Sequence, residues 1–117
     1  MLWKQEANMA TETSFAQYIR DQLSGIGRAE VNKMFGEYGV YLEGKIVALL
    51  CDNVFYLKRT PEVLQHLSEV IEAPAYTGAK PSYVIEQIDD RTYLQKIVEI
   101  TYRALPEPKL KKEKLEK

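Results

Sequence analysis

The chain has 117 residues, 45% of them hydrophobic and 28% charged, the proportions of an ordinary globular protein, and this length makes one domain. Its formal net charge of −1 excludes a global field that would draw it to nucleic acid or an anionic membrane. The single cysteine, Cys51, excludes an internal disulfide and fits a reducing cytoplasm, and no apolar run reaches the ~18 residues of a membrane span.

Residues 1–10 lack the apolar core of a signal peptide and read as a flexible leader before a domain at 11–105. The first predicted element is a helix. Phe15, Tyr18, Ile19, Gln22, Leu23 and Ile26 recur at three- and four-residue steps and make one apolar face. Thr13 or Ser14 is placed to cap it, with Gln17 completing a capping box after Ser14, and Ser24–Gly27 closes it.

From Arg28 to Arg59 the period changes. Four β-prone runs lie at Ala29–Phe35, Val40–Leu42, Ile46–Cys51 and Val54–Leu57. Their separators, Gly36-Glu37-Tyr38-Gly39, Glu43-Gly44 and Asp52-Asn53, hold residues that tolerate the positive φ of tight turns. Strands joined so closely must run antiparallel, which predicts a four-strand meander. Thr60-Pro61 then starts a second helix, hydroxyl cap with N1 proline, whose expected stripe is Val63, Leu64, Leu67, Val70 and Ile71. Ala73–Ile85, with two prolines and one glycine, predicts two short strands around Gly78 that start or lie at a sheet edge. Asp89 or Asp90 caps a last helix with Leu94, Ile97, Val98, Thr101 and Leu105 on one face. Tyr93, Ile100 and Tyr102 widen that face, so an added cover is expected, such as a second subunit. Residues 106–117 read as a disordered basic tail; from Arg103 onward there are six basic and three acidic residues. The fold class is α+β in the order α-β4-α-β2-α, an antiparallel sheet with helices packed on it.

Gly39-x-x-x-x-Gly44-Lys45 imitates a phosphate-binding loop. It fails the chemistry: Val40, Tyr41 and Leu42 are bulky, Ile46 stands where the magnesium-binding hydroxyl belongs, and a strand follows instead of a helix. Glu43-Gly44 reads as a two-residue hairpin turn with Lys45 facing solvent. Gly36-x-x-Gly39 imitates a nucleic-acid-gripping loop, yet a glutamate inside it would repel phosphate, and a sharp reversal with a bulge is the plainer reading. His66 is the only histidine; with Cys51 it offers no zinc spacing, and a Cys51–His66 nucleophile pair would require folding to join them. Asp89 and Asp90 precede a helix and read as caps. No catalytic, cofactor or metal site is therefore expected. Eight tyrosines include Tyr38, Tyr41, Tyr56, Tyr76 and Tyr83 on or beside the sheet. With only Lys33, Lys45, Lys58 and Arg59 near them, packing or protein contact is favoured over base stacking, which stays as the alternative together with the basic tail.

Lys33-Met-Phe-Gly-Glu-Tyr-Gly-Val-Tyr-Leu-Glu-Gly-Lys45, followed by Ala48-Leu49 and Tyr56-Leu-Lys58, resembles the N-terminal domain of the TfoX/Sxy family of bacterial competence regulators. Pro74, Tyr76 and Tyr83 are similar to its later positions, and the resemblance covers about Thr13 to Leu105. Glu37 stands where the family usually has glycine, Val47 where it often has phenylalanine, and the chain ends before the family's helical C-terminal domain. The resemblance implies a secretion-chaperone-like α+β fold, commonly dimeric, with no enzymatic activity. It also implies a cytoplasmic role in regulating competence genes beside the cyclic-AMP receptor protein, through contact with the transcription machinery. The motif residues Met34, Phe35, Gly36, Tyr38, Gly39, Tyr41, Gly44, Tyr56 and Lys58 are the candidate interaction surface.

Overall fold

A computed structural model of the chain describes residues 11–34 and 37–106. The expected leader, the tail beyond Pro106, and Phe35 and Gly36 of the motif lie outside these residues. Helix α1 (Thr13–Gln22) is followed by strands β1 (Ala29–Met34), β2 (Glu37–Leu42), β3 (Lys45–Cys51) and β4 (Val54–Leu57). A short helix α2 (Pro61–Leu64), strands β5 (Glu72–Pro74) and β6 (Pro81–Ile85), and helix α3 (Arg91–Ala104) complete the order expected from the sequence. All strands join one sheet in the order β1-β2-β3-β4-β6-β5, every pairing antiparallel. Pro74 lies in edge strand β5 and Pro81 opens β6, the two places where a missing donor is tolerated.

The expected bend between β2 and β3 is present. Leu42 pairs with Lys45, and between them Glu43 and Gly44 have φ of 49° and 86°. Two successive positive φ values make the hairpin turn whose twist matches that of its strands. Asp52 and Asn53, at 53° and 59°, repeat the device between β3 and β4. The first separator differs from expectation. Met34 pairs directly with Glu37, so β2 starts earlier, and Gly39 sits inside the strand between Asn32 and Leu49 rather than in a reversal.

The helices bury one face of the sheet. Ala16, Ile19 and Leu23 of the α1 segment and Leu94, Ile97 and Val98 of α3 meet Tyr38, Val40 and Leu42, Ala48 and Leu50, Phe55 and Leu57, and Tyr83 and Ile85. The Asp90 carboxylate accepts from the Tyr93 amide at 3.1 Å and starts α3, and the Thr60 hydroxyl accepts from the Val63 amide at 3.3 Å and starts α2. The expected Thr13 or Ser14 cap does not form. Glu12 is the N-cap residue, without a side-chain bond, and the Thr13 hydroxyl lies 3.3 Å from that of Tyr38.

Helix α2 is also shorter than its apolar stripe predicts. Val63 is buried, whereas Leu64 and Val70 are exposed. After Leu64 the amides of His66 and Leu67 bond three residues back, tightening the turn. The Ser68 amide then donates to the Tyr93 hydroxyl at 3.0 Å, and the chain crosses to the far edge of the sheet. That contact, with Tyr102 lying against Lys45, occupies from within the chain two of the three side chains that widen the apolar arc of α3.

Candidate functional site

Side chains alternate across a strand. Because Tyr38, Val40 and Leu42 face the helices, Gly39 and Tyr41 face away from them. One register row on this second face runs Asn32–Gly39–Leu49–Tyr56–Val84 across five strands, and Tyr41 pairs with Ile46 beside it. Among the described residues no helix packs on this side. Leu49, Tyr56, Val84, Ile46 and Tyr41 are only half-buried. A solvated sheet face normally carries polar side chains; this one is apolar at its centre.

Gly39 explains the local shape. A Cβ there would lie 3.0 Å from Met34 Sδ, 3.1 Å from Tyr41 Cε1 and 3.3 Å from Ile46 Cδ1. The three side chains close over the glycine and level the face. The family motif is therefore split by the fold. Met34, Gly39, Tyr41, Tyr56 and Lys58 belong to the open face. Tyr38 is in the core, Gly44 is in the turn, and Phe35 and Gly36 fall outside the described residues.

At one end of this face stands Glu37. Thr11 Oγ1 lies 2.8 Å from Glu37 Oε1 and 3.0 Å from the Leu50 carbonyl, and the Asp52 amide donates to the same carboxylate oxygen at 3.2 Å. The Asn53 side chain accepts from the Glu12 amide at 2.9 Å, so the start of the domain is tied to the β3–β4 turn. Burial, then the charges of Glu37 and Asp52, push the Cys51 thiol up to about 11. A thiol held neutral is a weak nucleophile. Burial, then Cys51, Asp52 and Glu37, also raise the Tyr56 phenol.

Lys45 does not face solvent, where the hairpin reading of Glu43-Gly44 places it. Its ammonium donates to the Tyr102 and Leu105 carbonyls at 3.0 and 2.7 Å and lies 4.4 Å from the centre of the Tyr102 ring. It holds the C-terminal end of α3, where carbonyls lack intrahelical donors and a cation is favoured.

The remaining candidates take structural places. Asp90 is a cap, Asp89 accepts from the Tyr18 hydroxyl, which raises that phenol, and His66 is exposed beyond α2. Cys51 has Glu37 and Asp52, not His66, as its charged neighbours. Among the described residues no three His, Cys, Asp or Glu side chains assemble a metal set, and no helix is long and apolar enough to cross a membrane. The tyrosine platform also divides. Tyr38 and Tyr83 are in the core, leaving Tyr41 and Tyr56 on the open face, and of the sheet lysines only Lys58 shares it, because Lys33 pairs with core-facing Tyr38. Sequence reasoning missed Ile46, Leu49 and Val84 as surface-forming residues, although the unbroken apolar run at Ile46–Cys51 is the pattern of a strand covered on both sides.

An "Uncharacterized 12.7 kDa protein in trpE 5'region" of Spirochaeta aurantia is 36% identical over 107 residues, which cover 91% of this chain and 93% of that protein. The family model described as the TfoX N-terminal domain matches residues 21–105, from the end of α1 to the residue after α3. With that match spanning most of the chain, the chain belongs to the TfoX N-terminal domain family.

Proposed function

We propose that this chain is a non-enzymatic regulatory module that acts by protein contact, forming a homodimer through the open face of its sheet. The observation that carries this reading is the row Leu49–Tyr56–Val84 with Ile46, Tyr41 and Met34, an apolar surface on the side where no helix packs among the described residues. Apolar side chains and tyrosine at the centre of a patch, with polar residues such as Glu30 and Asn32 at its margin, match the anatomy of an interface. The transcriptional role implied by the family resemblance is then delivered through another protein, in the cytoplasm, and not by chemistry on a substrate. Base stacking is disfavoured because Tyr41 and Tyr56 have one lysine beside them, whereas single-strand binding needs a cationic track.

Sedimentation equilibrium at tens of micromolar protein tests the dimer. The expected result is a dimer for the parent chain and a monomer for Tyr56→Asp or Ile46→Asp, both retaining the parent's far-ultraviolet circular dichroism. A parent chain that sediments as a monomer overturns the proposal, and so do variants that unchangedly dimerise.

A further inference from the structure

A second feature lies at the rim of the sheet, where β4 ends beside the β5–β6 hairpin. Here Lys58, Arg59, Tyr76, Lys80 and Ser82 stand around an open cleft of about 470 Å³ with an apolar floor that includes Leu49 and Leu105. A cleft of that size is in the range that holds one or two side chains or a small ligand. Its wall is built rather than loose. The Ala79 amide donates to the Tyr76 carbonyl at 3.0 Å, and Gly78 takes a φ of 90° in the turn between them.

The charge of the lining is one-sided. Among the described residues three cations and no carboxylate line it, on a chain whose net charge is −1. Arg59 is shared with Glu72 at 3.0 Å, a pair that lies at the border of the cleft. The ammonium groups of Lys58 and Lys80 have no hydrogen-bond or ion-pair partner among the described residues. Tyr76, 61% exposed, adds a large ring with nothing packed over most of it. Cations around an apolar floor complement a ligand that is anionic outside and apolar within.

We infer that this cleft docks an acidic peptide segment of a partner protein, one aromatic or aliphatic side chain flanked by carboxylates. The apolar side chain lies against Leu105 and Tyr76, at the end of the cleft away from the open face, and the carboxylates meet Lys58 and Lys80. A nucleic-acid strand fits less well, since its phosphates need a continuing track. The surface that would continue it carries Leu49, Tyr56 and Val84 and ends at Glu30 and Glu37. The inference rests on reading the chain as a protein-contact module, but its test is separate: sedimentation reports on the sheet face, and a titration followed at named amides reports on the cleft.

The experiment is an amide-resolved NMR titration of the full chain with three probes. They are acetyl-Glu-Asp-Phe-Asp-Glu amide, its uncharged counterpart acetyl-Gln-Asn-Phe-Asn-Gln amide, and an oligothymidylate of matching charge. The acidic peptide is expected to give saturable shifts at the amides of residues 58–59, 75–80 and 82, at least about fivefold tighter than the uncharged peptide. The double variant Lys58→Gln, Lys80→Gln is expected to weaken it about tenfold, the sum of two exposed charge contacts, while the spectrum elsewhere stays that of the folded parent. Absence of saturation at millimolar peptide, equal affinity for both peptides, an unweakened double variant, or tighter binding of the oligothymidylate at these amides each overturns the inference. A monomeric parent that still binds the acidic peptide overturns the dimer alone.

Discussion

Replacing Lys45 with methionine keeps the aliphatic stem and removes the ammonium, and the geometry gives the cost. Among the described residues the bonds lost are those at 3.0 and 2.7 Å to the Tyr102 and Leu105 carbonyls, with the contact to the Tyr102 ring. Charge-assisted bonds contribute about 1.5–3 kcal/mol where water is excluded, and a cation over an exposed ring about 0.5–1 kcal/mol. The site is part-buried, and its carbonyls recover water once the ammonium is gone, so the lower part of that range applies. Lys45→Met is expected to destabilise the domain by about 2–3 kcal/mol, which in a domain of roughly 100 residues lowers the melting temperature by about 10–15 °C.

Urea denaturation of the parent and variant measures the loss, and amide hydrogen exchange locates it. The amides of the last turn of α3, among them Leu105, which donates to the Thr101 carbonyl at 3.0 Å, should exchange faster in the variant, with the strands β2 and β3 changed only by the global loss. A solvent-facing lysine would give a change within about 0.5 kcal/mol. A result in that range, or unaltered exchange at the end of α3, would refute the assignment of Lys45 as the clasp of this helix.

Thr101 is fully buried and its hydroxyl has no partner among the described residues, so Thr101→Val should stabilise the domain by about 1 kcal/mol; calorimetry showing an unchanged or lower melting temperature would mean that the hydroxyl is bonded. Cys51 has a thiol pushed up from 9.0 to about 11, so the folded state favours the neutral form. The resulting stability is complete below pH 9 and is lost as pH rises through about 11; urea midpoints should fall more steeply there for the parent than for Cys51→Val, and parallel curves would refute it. Glu37→Ala removes the acceptor shared by Thr11 and the Asp52 amide and should cost about 1–2 kcal/mol. Adding Thr11→Val to it should cost less than it does alone, and strict additivity in the cycle would break the proposed link.

The sequence displays most of the fold because the local signals agree with one another. Asp90 and Thr60-Pro61 announce their helices, and Glu43-Gly44 and Asp52-Asn53 announce their hairpins, since each residue acts on its own backbone. The errors fall where a distant partner decides. Thr13 could cap α1 but meets the Tyr38 hydroxyl, a residue 25 positions away. The stripe through Leu64 and Val70 has helical spacing, yet the chain must reach edge strand β5, and the Tyr93 hydroxyl draws Ser68 out of helical register. Glu37 reads as a foreign charge in a glycine position until Thr11 and the Asp52 amide are placed beside it. The cleft has no sequence signature, because Lys58 and Lys80 are brought together by the pairing of β4 with β6.

One inserted residue ties the clasp of α3 to the open face. Val40 pairs with Ala48, but its neighbour Tyr41 pairs with Ile46, so Val47 is an extra residue in β3. Strict alternation back from core-facing Ala48 would send Val47 outward, Ile46 inward and Lys45 outward. With the bulge, Val47 and Ala48 both face the helices, each fully buried, and every residue before them changes sides. Ile46 is turned onto the open face against Tyr41 and over Gly39, and Lys45 is turned beneath the end of α3. On the other side of β3 the pairing with β4 is unshifted, and the Val47 carbonyl continues it by accepting from the Lys58 amide at 2.9 Å. Apolar face and helix clasp thus share one backbone irregularity, so the bulge at Val47 shapes both sides of this sheet at once.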